Sequence, residues 1–205
     1  MTKKKVIRLW HKFAEDIVGQ LGGHANSHKC VGAVVINKQT NRIISYGYNG
    51  IPDGIDIEAI PATAYEEGIR SHCNACAEPN ALAKPLGVKA QALQADDGRL
   101  PEQHLGGIMD RVRWYLTDIG RVGAEHQTLK GHYMAVSVSP CLGCARLIIN
   151  NGLEGVIARR KPRFGSFKRA DGMVEARMQL MAEGVRIAYV SKRKLKFHNW
   201  HSPAP

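Results

Sequence analysis

No apolar run in the 205-residue chain approaches the roughly 18 residues that a membrane-crossing helix needs, so no membrane partner is expected. The stretch Met1 to Arg8 is basic, but no apolar core of a signal peptide follows it, and a cytoplasmic location is expected. Aromatic residues are scarce at 6%, few for the stacking platforms that single-stranded nucleic acid requires. Acidic residues are also short, 18 against 29 lysines and arginines, leaving a net charge of +11. Such a field favours anions: a nucleotide phosphate, a nucleic acid or a membrane surface, although a solvated face is the better explanation of any single cluster. Cysteine is limited to Cys30, Cys73, Cys76, Cys141 and Cys144, an odd count that argues against a disulfide framework and leaves metal binding or buried thiols.

What remains is the composition of a globular domain, 44% hydrophobic and 23% charged, with no internal repeat. Ile7, Trp10, Phe13, Ala14, Ile17, Val18 and Leu21 recur near helical spacing, and Gly22 with Gly23 ends that helix. Val31 to Ile36 and Ile43 to Tyr48 read as strands of a hairpin, followed by a loop over Asn49 to Gly54. A helix is expected from near Cys76 to just before Pro85. Residues 85–131 are of mixed composition, with a helix over Ile108 to Ile119. They read as an insertion within a single domain spanning residues 1–205, being too few for a core of their own. Beyond them the pattern predicts a strand at Tyr133 to Val138, a helix at Cys141 to Ile149 and a strand at Gly155 to Ala158. A helix at Gly172 to Glu183 and a strand at Val185 to Val190 complete it. Strands alternating with helices after a hairpin predict a three-layer α/β/α fold around a mixed central sheet. Lys3 to Lys5 and Lys192 to Lys196 read as solvated ends.

Two segments carry the chemistry: Cys76-Ala77-Glu78 and Pro140-Cys141-Leu142-Gly143-Cys144. Cys141 and Cys144, three apart at a helix start, put both sulfurs on one side of the first turn, and Cys76 can supply a third. Three protein ligands and one open position are the arrangement of catalytic zinc, and helix N-termini favour thiolates. Glu78, two residues from Cys76, can stand beside the metal without binding it and move protons. A ligand two before a Glu, followed by Pro-Cys-x-x-Cys, is the signature of zinc nucleobase deaminases. The competing reading is a structural zinc closed by His72 or Cys73, which leaves Glu78 and Pro140 without a role. Three thiolates weaken the pull of the metal on water, and Arg146, two past Cys144, is the candidate cation to offset them, or else a surface arginine. Cys30, Cys73 and His72, with His104, His126 and His132, match no second metal motif, and buried thiols and surface histidines are expected there.

On these residues the chain resembles the deoxycytidylate (dCMP) deaminases of the cytidine deaminase-like superfamily. The resemblance covers Val31 to Gly54, His72 to Leu82 and Ser137 to Leu153, and its most discriminating piece is the loop Gly47-Tyr48-Asn49-Gly50-Ile51-Pro52-Asp53-Gly54. It implies the cytidine deaminase-like fold, Zn²⁺ as cofactor, and hydrolysis of dCMP or a related cytosine nucleotide to dUMP with release of ammonia. It also implies that Asn49 contacts the nucleotide, that Ser27 and Lys29 lie near its phosphate, and that the protein is a homo-oligomer, a hexamer in many relatives, with dCTP and dTTP as effectors. Three features depart from the family pattern. Cys76 stands where histidine is usual, a choice more like free cytidine deaminases. The insertion is long. The loop from Arg159 to Arg169 carries six basic residues and no acid, and either binds phosphate or is solvated. Two other functions remain in view: a polynucleotide cytosine or adenine deaminase, which needs backbone contacts and a steep salt dependence, and a non-catalytic protein built on a structural zinc. A nucleic acid partner is not expected.

Overall fold

The computed structural model describes residues 3–21, 31–52, 55, 75–89, 101–126, 128–159, 170–191 and 195–198. Among these residues no helix is long and apolar enough to cross a membrane.

Helix α1 (Lys3–Leu21) precedes the hairpin β1 (Gly32–Ile36) and β2 (Ile43–Tyr48). Then follow α2 (Ala77–Leu86), α3 (Pro101–His126), β3 (Tyr133–Val136), α4 (Leu142–Asn150) and β4 (Gly155–Arg159). The last elements are α5 (Ala170–Ala182), β5 (Arg186–Val190) and β6 (Leu195–His198). One mixed sheet runs β2-β1-β3-β4-β5-β6. β1 is antiparallel to both β2 and β3, β3 to β5 are parallel, and β6 returns antiparallel to β5.

Period-two burial divides the core into two sides. Val34, Ile36, Ala135, Ile157 and Ala188 face α1, where they meet Ile7, Trp10 and Ala14. Ala33, Val35, Met134, Val136, Val156 and Ile187 face the opposite layer, with Ala81, Leu82, Ile148 and Leu180 from α2, α4 and α5. Because every strand residue of β1 and β3 is buried, these strands read as continuous apolar runs rather than alternations. The three-layer α/β/α architecture is the expected one.

The helix α2 passes through Pro85 instead of stopping before it. Proline cannot donate to the carbonyl four residues back, Ala81. The hydroxyl of Ser45 on β2 donates to that oxygen at 2.7 Å, so the acceptor is satisfied and the last turn survives. Gly87 at φ 68 then ends the helix. β2 and α2 also approach closely at Gly47, where a Cβ would stand 2.4 Å from the backbone N of Ala81.

α3 is much longer than the expected helix over Ile108 to Ile119, and it is not an appendage: Val112, Tyr115 and Ile119 enter the same core as the sheet. It rests on α4 through Gly123, where a side chain would collide with the carboxamide of Asn151. Asn151 is fully buried and donates to Leu147 O at 2.8 Å and Ile119 O at 3.4 Å, joining the two helices. The end of the basic C-terminal run falls in β6: Leu195 and Phe197 pack on the α1 side and the strand pairs with β5 from Ile187↔His198 to Val190↔Leu195, while Lys196 between them is exposed as expected and residues 192–194 lie outside the described residues.

Candidate metal centre

β3 ends where β1 begins, so the carboxyl end of β3, the start of β1 and the end of β2 share one rim of the sheet. Ser137 N donates to Gly32 O at 2.9 Å, and Gly32 N donates to Ser137 Oγ at 3.0 Å, closing that rim. The chain then turns through buried Ser139 and Pro140 into α4, whose N-cap is Cys141. Proline keeps the preceding residue extended and helps start the helix cleanly. α2 begins at the same rim with Cys76 as its N-cap. Both cap cysteines have extended backbones, at φ −66 and ψ 164 for Cys76 and φ −79 and ψ 171 for Cys141.

The sulfurs of Cys76, Cys141 and Cys144 all lie within 4.8 Å of one another. Thiolates at tetrahedral positions about 2.3 Å from zinc stand about 3.8 Å apart, a separation compatible with that bound. Cys144 is buried, whereas Cys76 and Cys141 are exposed, which leaves one side of the cluster accessible. Two thiols donate to one sulfur: Cys144 and then Cys76 pull Cys141 far below the usual thiol range, with smaller contributions from the N–H groups of Cys144 and Gly143 at the open helix end. The thiols of Cys76 and Cys144, facing that sulfur, are pushed up.

Glu78, on the first turn of α2, is 3% exposed. Burial pushes its carboxyl up to about 7, and the neighbouring Cys141 sulfur adds to the shift. Hydrogen bonds to its own N–H and to the Cys144 thiol pull the other way. A carboxyl held near neutrality beside a metal-donor cluster is suited to giving and taking protons.

The remaining expected site residues divide. Asn49 sits at the shared rim, and its Oδ1 accepts the Val31 N–H at 2.5 Å while its own N–H donates to Val31 O at 3.0 Å. Its side chain therefore pins the entry of β1. Arg146 lies exposed on α4. Among the described residues, the groups that shift the three thiols are the thiols themselves, Glu78 and backbone N–H groups. Ser27, Lys29, Cys30, His72, Cys73 and residues 160–169 lie outside the described residues, as does the His104 side chain. His126 is exposed, and His132 is held by Asn37 at 3.4 Å and Lys130 O at 3.2 Å. Asn80 and Tyr115 had no role assigned from sequence. Asn80 Nδ2 donates to Tyr48 O at 2.9 Å and Gly50 O at 3.4 Å, and Tyr115 Oη donates to Asn80 Oδ1 at 3.0 Å. The one signal for Asn80 was its place a helical turn after Cys76.

The family model of the cytidine and deoxycytidylate deaminase zinc-binding region matches residues 7–159. Among solved structures, a dCMP deaminase from the cyanophage S-TIM5, in complex with dCMP and dUMP, shares the fold with a TM-score of 0.51. Its sequence identity is 18%, with 93% of this chain and 100% of that chain covered. The apo form of the cyanophage S-TIM5 enzyme gives a TM-score of 0.46 at 18% identity, over 87% of this chain and 94% of that one. No curated protein sequence matches the chain. The soft, three-sulfur donor set and the zinc-binding family match agree on Zn²⁺ as the metal.

Proposed function

Because the chain belongs to the cytidine and deoxycytidylate deaminase zinc-binding family, we propose that it hydrolyses dCMP to dUMP and ammonia. The observation that carries this reading is the buried carboxyl of Glu78 against the cluster of Cys76, Cys141 and Cys144. A purely structural zinc has no use for a desolvated acid whose proton affinity is near neutral.

Zinc would be held by Cys76, Cys141 and Cys144, and when bound it would supply the Lewis acidity that makes water nucleophilic at neutral pH. The protein's own part is proton handling. The water oxygen bonds to C4 of the cytosine ring, and Glu78 takes the water proton and delivers it to N3. Glu78 then takes the proton of the new C4 hydroxyl and passes it to N4 as the C4–N4 bond breaks, and the nitrogen leaves as ammonia. The product ring carries a carbonyl at C4. This is hydrolysis of a cyclic amidine C–N bond.

The choice of a nucleotide is supported by the net charge of +11, and by the cyanophage enzyme of like fold having been solved with dCMP and dUMP. Asn49, at the rim shared with the metal centre, is the proposed base or sugar contact, with Ser27 and Lys29 proposed at the phosphate. Arg146 is the proposed cation that offsets the thiolate charge. Thiol ligands that must stay reduced support a cytoplasmic location. The reading extends to a homo-oligomer, a hexamer by family resemblance, that responds to dCTP and dTTP. Light scattering tests the assembly, and adding each triphosphate to the assay tests the response. One observation favours a second substrate, free deoxycytidine: a cysteine rather than a histidine at position 76.

The deciding experiment measures ammonia release from dCMP, dCTP, deoxycytidine, a 5-substituted dCMP and single-stranded DNA side by side. We expect the highest kcat/KM on dCMP. Turnover of DNA with none of any mononucleotide would overturn the reading.

A further inference from the structure

The long helix α3 reaches the frame of the metal centre through Tyr115, which is 2% exposed. Its hydroxyl donates to Asn80 Oδ1 at 3.0 Å. The orientation of that amide is forced, because its other end faces the carbonyls of Tyr48 and Gly50, which accept only from NH₂. Gly50 then exchanges both backbone hydrogen bonds with Ala75, N to O at 3.1 Å one way and 2.8 Å the other. Ala75 is bonded to Cys76. An unbroken series of hydrogen bonds thus leads from α3, across α2, to the turn after β2 and to the residue before a metal ligand.

The hydroxyl of Tyr115 is not what keeps α3 in place. Val112 and Ile119 pack in the core, and Gly123 meets Asn151 on α4. The phenol's hydrogen bond therefore serves Asn80, and a phenylalanine at 115 would leave Oδ1 facing an apolar ring.

We propose that Tyr115 is a positioning residue: acting through Asn80, it holds the turn after β2 against the Ala75–Cys76 segment, so that α3 sets the wall beside the metal centre. The kinetic arm of the test rests on the proposed deaminase reaction; the exchange arm does not.

The experiment compares the zinc-loaded full-length protein with Tyr115→Phe and Asn80→Asp by residue-resolved amide hydrogen exchange, zinc content and steady-state kinetics on dCMP. Loss of the hydroxyl should speed exchange of the Gly50 and Ala75 amides by about tenfold or more, the scale of one lost buried hydrogen bond. Amides of the β1–β3 ladder, such as Val35 and Ala135, should stay within about twofold, and zinc should be retained. KM should rise about fivefold with kcat within about twofold, as expected when a wall shifts while the reacting groups stay. Asn80→Asp, which turns the donor toward two carbonyls into an acceptor, should do the same or more, and adding Tyr115→Phe to it should change nothing further. Unchanged exchange at Gly50 and Ala75, equal acceleration across the ladder, or a fall in kcat at constant KM would each overturn the proposal. If the unmodified protein turns over no cytosine nucleotide, the deaminase reading fails, while the exchange rates still decide the role of Tyr115.

Discussion

The two ends of the parallel strands β3 and β4 each gather charge, and they treat it in opposite ways. At the amino end, the Glu154 carboxylate is held by Arg186 at 2.8 Å and Lys38 at 2.6 Å. Arg186 also donates to Tyr133 Oη at 3.2 Å, so the cluster is closed by its own counterions. At the carboxyl end, three sulfurs and the Glu78 carboxyl crowd together, and among the described residues no ion pair reaches them. The first cluster needs nothing further. The second is complete only with a cation from outside. That imbalance sets the carboxyl end apart as the one suited to a metal ion.

That contrast can be broken by mutation. The largest effect belongs to Cys144→Ala, which should abolish zinc binding and turnover together, as read by metal analysis and ammonia release. Stripping zinc with a chelator should lower the melting temperature of the unmodified protein by about 5–10 °C, the effect of a ligand present at about 100 times its Kd on a chain of this size. The alanine variant should show no such drop. Glu78→Gln comes next, with kcat lower by about 10²–10⁴-fold and zinc retained, since only the proton carrier is gone. An active glutamine variant would remove Glu78 from the chemistry. Glu154→Gln, at the other end, should leave kcat and zinc untouched and cost about 1–2 kcal/mol of stability in urea unfolding, because Lys38 is substantially exposed and screened. If instead it lowers kcat, the two ends are coupled and the contrast fails. The smallest effect is Arg146→Gln, a fall in kcat of about two- to fivefold with zinc in place, the size of a partly screened charge near the cluster. Kinetics identical to the unmodified protein would leave Arg146 a surface residue.

The metal centre was legible in the sequence because its chemistry is local. A cysteine pair three apart at a helix start, and a Glu two beyond another cysteine, fix their own geometry once the helices form. β1 was legible from the β-branched run Val31 to Ile36, and its hairpin partner β2 and the strand β3 from short, largely apolar stretches of strand length. What escaped depends on partners distant in the chain. Pro85 reads as a stop, and the bond that proline cannot make to the Ala81 carbonyl comes from Ser45, 36 residues earlier in the chain. Gly120 and Gly123 weaken any helix expectation for α3, yet Gly123 lets it settle against Asn151. β6 is a four-residue strand within a lysine-rich run, and its alternation of Leu195 and Phe197 with polar residues gains meaning only beside β5. Asn80 and Tyr115 lie 35 residues apart, and nothing in either neighbourhood announces their bond.

One position without a side chain governs how finely α2 is seated. At Gly47 a single added methyl would stand 2.4 Å from Ala81 N and 2.6 Å from Ala77 O, so alanine there would drive α2 outward by about 1 Å to reach ordinary contact. Cys76 and Glu78 ride on the end of that rigid rod and would be carried off as a pair, while Cys141 and Cys144 stayed behind. Metal bonds tolerate about 0.2 Å, so the missing carbon at residue 47 is the spacer against which the whole centre is calibrated.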